Sequence, residues 1–151
     1  GDPKKAFEKA INNSNKVAMS LSDLFCVERH KPHFLKLVKN KLDITFANEQ
    51  EIMSLIDVKD FNEVINFAKE INKLIVITRG DKGAIAINKN EIVECSAKKD
   101  LKIKDLTGAG DLFAGGFLHG LINKKNIKES LEIGTEMSSK VIQIIGARLN
   151  N

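Results

Sequence analysis

Apolar and polar positions alternate along this chain in two ways, as short continuous apolar runs and as apolar stripes with helical spacing. The continuous runs predict buried strands at 17–21, 44–47 and 74–78, and a hairpin of two strands at 84–87 and 92–95. The stripes between the runs predict helices, with Pro32 in the first turn of one and with Asn48 and Asp60 as the N-caps of two others.

Both ends of the chain also show helical spacing. Pro3 suits a helix start, and it precedes an apolar stripe of Ala6, Phe7, Ala10 and Ile11. A last helix is predicted from about 127 to 145, ending near a glycine at 146. Residues 22–31 are predicted to form a loop.

The order of these elements predicts an α/β fold. Strands that alternate with helices favour a doubly wound, mostly parallel sheet with helices on both faces. The 151 residues fit one domain, and neither an internal repeat nor a linker divides them. We therefore treat 1–151 as one layered unit.

Composition narrows the classes of partner. There are 24 Lys and Arg against 20 Asp and Glu, and the lysines are scattered among glutamates instead of forming a basic stripe. The chain has no Trp and no Tyr to stack on bases, so nucleic acid is not expected as a partner. No apolar run approaches the length of a membrane span, and no signal peptide opens the chain, so a cytoplasmic location is expected.

The cysteines and histidines suggest no metal centre. Cys26 and Cys95 are far apart in sequence and are predicted to be reduced thiols. Cys26, His30 and His33 lie close together, but a zinc site needs a fourth ligand, and a surface cluster is the better interpretation.

The most informative stretch is the glycine-rich segment at 105–118, which enters a helix. Gly108, Ala109 and Gly110 leave the backbone uncrowded at the helix start, where several N–H groups can point at one anion. Asp111 follows directly, and a bound phosphate would repel its carboxylate. One interpretation is a general base for a hydroxyl that attacks a phosphoryl group held by the loop. The other is an acidic residue that only counters the helix dipole.

This segment resembles the carboxyl-terminal signature of the PfkB, or ribokinase-like, kinases, which phosphorylate sugars, nucleosides and related alcohols with ATP. The matching residues are Asp105, Thr107, Gly108, Ala109, Gly110 and Asp111, followed by Phe113, Gly115, Gly116 and Phe117. The resemblance implies that Asp111 is the base and that Gly108–Gly110 form the anion hole. From the residues alone, we interpret Gly115 and Gly116 as positions of close packing between helix and sheet.

Two more segments match in the same order. Asn48 and Glu51 resemble the family's Asn-x-x-Glu motif, which implies that Glu51 arranges Mg²⁺ through water, although a simple capping box explains the same spacing. Thr78, Gly80 and Gly83 resemble the strand-end loop that lies along the nucleotide.

The resemblance assigns further residues and a boundary. It places Asp105 and Thr107 at a site for a monovalent cation such as K⁺, and Thr135 near the nucleotide. It also implies that the chain is the carboxyl-terminal half of a kinase domain, without the first strands and the β lid of its relatives. Such a partial sheet is expected to self-associate or to form a homodimer.

The sequence thus predicts the nucleotide-binding and catalytic part of an ATP- and Mg²⁺-dependent phosphotransferase that acts on a sugar or a nucleoside. A non-catalytic nucleotide-binding α/β module, or a kinase fragment that is inactive by itself, is the alternative. Asp111 favours catalysis, because a protein that only binds phosphate gains nothing from a carboxylate there.

Overall fold

A six-stranded sheet forms the centre of the computed structural model, which describes residues 9–11, 16–21, 24–97 and 109–149. The strands are β1 (Lys9–Ile11), β2 (Lys16–Ser20), β3 (Ile44–Asn48), β4 (Leu74–Thr78), β5 (Ala84–Ile87) and β6 (Ile92–Cys95). The helices are α1 (Leu24–Arg29), α2 (Lys31–Asn40), α3 (Glu49–Leu55), α4 (Phe61–Ile71), α5 (Ala109–Ile122) and α6 (Ile127–Leu149), and a short 3₁₀ turn covers Gly80–Lys82.

The strands lie in the sheet in the same order as in the chain. Strands β2, β3 and β4 are parallel, whereas β1 is antiparallel to β2, and β5 is antiparallel to both β4 and β6. The prediction of a mostly parallel sheet therefore holds only for the three strands joined by helices. The other connections are too short, because a parallel crossover needs a dozen or more residues.

One face of the sheet is covered by the four helices α1 to α4. Side chains from β2, β3, β4 and β5 meet these helices in one buried cluster, which includes Met19, Val27, Phe34, Val38, Ile52, Leu55, Val64, Ile75, Ile77 and Ile85. Alternate residues of the same strands point to the opposite face, as the two-residue period of a strand requires.

The opposite face is covered by α5 and α6. Ala18, Ala84 and Ala86 line this face and belong to one buried cluster with Phe113 and Phe117 of α5. Phe117 meets Phe46 of β3 edge to face, with ring centroids 5.5 Å apart. Helices on both faces were predicted from the sequence and are confirmed.

Three elements differ from the prediction. Residues 9–11 form a strand, not a helix, and Ala10 pairs with Val17, because sheet pairing outweighs a weak helical pattern; residues 1–8 lie outside the described part. The predicted loop contains α1, whose Val27 is fully buried. Helix α6 continues past Ile145 to Leu149, since a glycine inside a helix costs only about 1 kcal/mol.

Gly115 and Gly116 have different surroundings, although close packing against the sheet was predicted for both. A Cβ atom on Gly116 would lie 2.9 Å from Cα of Gly134 in α6, so this glycine packs against a helix. A Cβ atom on Gly115 would meet no described atom within 4 Å. The prediction of close packing holds for Gly116, but its partner is helix α6 and not the sheet. For Gly115, no described neighbour supports close packing.

These neighbouring glycines provide a matched test of helix packing. Gly116→Ala should lower the free energy of unfolding by about 1–3 kcal/mol, because the backbone of α6 must shift. Gly115→Ala should raise it by up to about 1 kcal/mol, because alanine is the better helix former. Urea denaturation of both variants measures the difference, and equal effects would contradict the α5–α6 contact.

Candidate functional site

The carboxyl ends of β3 and β4 bring two of the predicted site residues together. Asn48 is the last residue of β3 and pairs directly with Thr78, the last residue of β4. Their strands are parallel, so the chains that leave them emerge at the same edge of the sheet. Open α/β sheets bind ligands at this edge.

Asn48 and Glu51 form a complete capping box at the start of α3. The Asn48 Oδ1 atom accepts a hydrogen bond from the backbone N–H of Glu51 at 2.7 Å. In return, the Glu51 Oε1 atom accepts one from the backbone N–H of Asn48 at 2.8 Å. The Glu51 side chain is buried. The capping interpretation of this motif is confirmed, and a metal role for Glu51 stays a prediction.

The loop after β4 closes tightly on itself. The Arg79 N–H donates to the Gly83 carbonyl at 2.7 Å, and the Gly83 N–H donates to the Gly80 carbonyl at 3.1 Å. Gly83 has a φ of 92°, and a Cβ atom there would lie 2.0 Å from the Cys95 carbonyl oxygen. The loop therefore lies directly against the end of β6, and only glycine fits at this position.

Arg79 is a residue of this edge that sequence reasoning missed. Its Nε atom lies 3.4 Å from Oε2 of Glu49 at the start of α3. Its guanidinium carbon lies 3.9 Å from the ring centroid of Phe61 at the start of α4, within the range of a cation–π contact. The sequence contained a signal for this ion pair, because Glu49 directly follows the last residue of β3 and Arg79 directly follows the last residue of β4.

Thr135 of α6 contacts Cys95, the residue of β6 against which this loop packs. Its hydroxyl donates to the Leu131 carbonyl at 2.8 Å, and its Oγ1 atom is 3.7 Å from the Cys95 sulfur. The Cys95 carbonyl is the atom that excludes a side chain at Gly83. Cys95 therefore contacts both Gly83 and Thr135, which are more than fifty residues apart in the sequence.

Asp111 lies in the first turn of α5 and is exposed. At the other end of α5, Leu121 and Ile122 line a cavity together with Ile44 and Leu74, the first residues of β3 and β4. Helix α5 therefore runs against the strand direction, and Asp111 lies toward the carboxyl ends of the strands.

Among the described residues, none crowds the start of α5 at Gly110. The helix begins at Ala109, and a Cβ atom on Gly110 would meet no described atom within 4 Å. Gly108 of the predicted anion hole, and Asp105 and Thr107 of the predicted cation site, lie outside the described residues.

The cysteine and the two histidines at α1 and α2 pack against apolar side chains. Neither Cys26 nor Cys95 forms a disulfide within the described residues. His30 and His33 pack their rings against Phe34, with centroids 6.5 and 5.9 Å apart. Within the described residues, no helix is long and apolar enough to cross a membrane.

Comparison with known proteins assigns the family. Residues 4–151 match the profile of the pfkB family of carbohydrate kinases. This chain belongs to the pfkB family. The matched range contains the glycine-rich segment before α5 and the two strand-end motifs.

Individual relatives agree with this assignment. The chain is 34% identical over 116 residues to an ATP-dependent 6-phosphofructokinase of Thermoanaerobacterium thermosaccharolyticum. The matched region covers 76% of this chain and 35% of the relative. It is 33% identical over 114 residues to a cytidine kinase of Thermococcus kodakarensis, with coverage of 72% and 40%.

A solved structure shows the same fold. The crystal structure of a probable sugar kinase from Rhizobium etli superposes with a TM-score of 0.80 and 37% identity, over 86% of this chain and 40% of that one. The ribokinase-like fold class is confirmed, and the chain forms part of such a domain. In these three matches, the chain spans 40% or less of the relative's length.

Substitution of Asn48 tests the contribution of the capping box to stability. Asn48→Ala removes the cap acceptor and should lower the free energy of unfolding by about 1 kcal/mol. Asn48→Asp keeps an acceptor oxygen and should change it by less than half as much. Chemical denaturation monitored by circular dichroism measures both variants. Equal losses would mean that the cap does not hold the start of α3.

Proposed function

We propose that this chain is the nucleotide-binding and catalytic part of an ATP-dependent kinase that phosphorylates an alcohol group of a sugar or a nucleoside. The observation that supports this proposal is the position of Asp111, an exposed carboxylate in the first turn of α5. It follows Gly110, where a Cβ atom would meet no described atom within 4 Å. This turn lies toward the carboxyl edge of the sheet, where Asn48 and Thr78 end their strands.

The proposed reaction gives each part of this edge a task. The loop from Thr78 to Gly83 lies along ATP, and the backbone N–H groups at 108–110 hold the transferred phosphoryl group. Asp111 accepts the proton of the attacking hydroxyl. A bond then forms between that oxygen and the γ-phosphorus, while the bond to the β-phosphate oxygen breaks and ADP leaves.

Glu51 suits an Mg²⁺ ion that arrives with ATP. Its carboxylate is a hard oxygen ligand, and Mg²⁺ usually keeps several waters and binds through one or two carboxylates. The capping box holds this side chain at the end of β3, so its carboxylate is oriented before the nucleotide binds. Bound Mg²⁺ would neutralise charge on the phosphates. A monovalent cation at Asp105 and Thr107 is part of the same proposal.

The acceptor class follows from the relatives. One curated relative is named for a sugar phosphate and another for a nucleoside, so the acceptor is sought among both classes. Transfer of labelled phosphate from ATP to a panel of sugars, sugar phosphates and nucleosides, with the intact protein, tests the function. Nucleotide binding without transfer to any acceptor would favour a non-catalytic module or an inactive fragment.

Sedimentation of the same samples tests the predicted self-association of the chain.

Substitution of Asp111 tests its role as the base. Asp111→Asn keeps the size and removes the proton acceptor, so turnover by the intact protein should fall about 10²–10⁴-fold while ATP still binds. ATP affinity should stay equal or rise slightly, because a carboxylate no longer repels the phosphates. Steady-state kinetics and calorimetric titration provide both values.

One further variant is a control for this test, and another tests the phosphate-binding loop. Asp60→Asn makes the same charge change at the start of α4, where asparagine also serves as an N-cap, and turnover should stay at the wild-type value. Gly110→Val should weaken ATP binding by crowding the phosphates. Wild-type turnover in Asp111→Asn would show that this carboxylate only counters the helix dipole.

A further inference from the structure

The pairing of β3 with β4 continues beyond their last residues through side chains. Asn48 and Thr78 are the last paired residues, and Glu49 and Arg79 follow them by one position each. The Arg79 Nε atom donates to the Glu49 Oε2 atom at 3.4 Å. This ion pair therefore connects the start of α3 to the loop after β4.

Arg79 is held on two sides. The Phe61 ring lies under its guanidinium group at 3.9 Å, and Glu49 accepts from its edge. The side chains of Arg79 and Glu49 are only 20% and 27% exposed. A flat, weakly hydrated cation that stacks on a ring while it donates to a carboxylate is a role for arginine that lysine does not reproduce.

The backbone of the same residue closes the loop. The Arg79 N–H donates to the Gly83 carbonyl, and its carbonyl accepts from the Lys82 N–H at 3.1 Å. Gly83 in turn lies against Cys95. One residue thus joins the loop to itself through its backbone and to the starts of α3 and α4 through its side chain.

We propose that Arg79 is a positioning residue for the nucleotide. Clamped between Glu49 and Phe61, it holds the Thr78–Gly83 loop in a constant position relative to the Asn48–Glu51 cap before the nucleotide arrives. This inference rests on the proposed function, because these two segments are the ones proposed to hold ATP and its metal. Pre-organisation of the loop raises affinity by lowering the ordering cost of binding.

A double-mutant cycle in the intact protein tests the clamp. Arg79→Met keeps the aliphatic stem and removes the charge and the planar group. It should raise the Kd for Mg²⁺ with a non-hydrolysable ATP analogue by about three- to tenfold. Glu49→Gln should raise this Kd by about threefold when Arg79 is present, and its effect should disappear in the Arg79→Met background. Calorimetric titration measures all four proteins.

A second variant and a matched control protect the test from folding effects. Phe61→Leu removes the ring face while it keeps an apolar side chain, and it should weaken nucleotide binding by about threefold even if Arg79→Met folds poorly. Asp57→Asn breaks the Lys31–Asp57 ion pair elsewhere on the surface, and asparagine tolerates the positive φ of 55° at this position. Its nucleotide Kd should equal that of the wild type.

The possible outcomes separate this proposal from the proposed function. Wild-type affinity in all clamp variants would overturn the clamp and leave the function standing. A lower free energy of unfolding with an unchanged Kd of the folded protein would show a purely structural role and also overturn it. Tighter binding by Glu49→Gln, only when Arg79 is present, would also overturn the positioning role, because it would show that Arg79 contacts the phosphates directly. If the wild type binds no nucleotide, both proposals fail.

Discussion

Parallel pairing of β3 with β4 places Asn48 beside Thr78, and the arrangement of the candidate site depends on this pairing. Because the side-chain period of a strand is two, a slip of one residue would turn every side chain of a strand to the other face. Both faces are buried here under different helices, so such a slip would exchange two unlike sets of residues. The register at the site edge is therefore maintained by the whole core.

Packing on the second face of the sheet determines where α5 lies. Helix α5 packs over β2 and β3, where Phe117 meets Phe46, and α6 packs over β5, the strand that contains Ala84 and Ala86. Close contact between Gly116 and Gly134 then brings α6 against α5. This packing orients α5 against the strand direction, with its first turn toward the carboxyl edge. Asp111 owes its position to contacts made by residues that have no chemical role.

Stability and proposed chemistry share residues at this edge. The capping box satisfies backbone N–H groups of α3 and also orients the Glu51 carboxylate. A carboxylate has two oxygens and about four acceptor sites, so its bond to the Asn48 N–H is compatible with water-mediated metal binding. Gly83 likewise closes a loop and brings it against β6. Substitutions at these positions are therefore informative only when stability and ligand affinity are both measured.

Local patterns in the sequence were sufficient to predict most elements, their caps, and the motifs that assign the family. The apolar run at 74–78 predicts β4, and the spacing of Asn48 and Glu51 predicts a cap that the structure contains, because strands and caps depend on neighbouring residues. Contacts distant in sequence decided the rest. Residues 9–11 became a strand through pairing with β2, and Arg79 acquired partners only when β4 lay beside β3. A pattern read along the chain contains no information on which strands become neighbours, and the free energy of burying both faces of the sheet determines that choice.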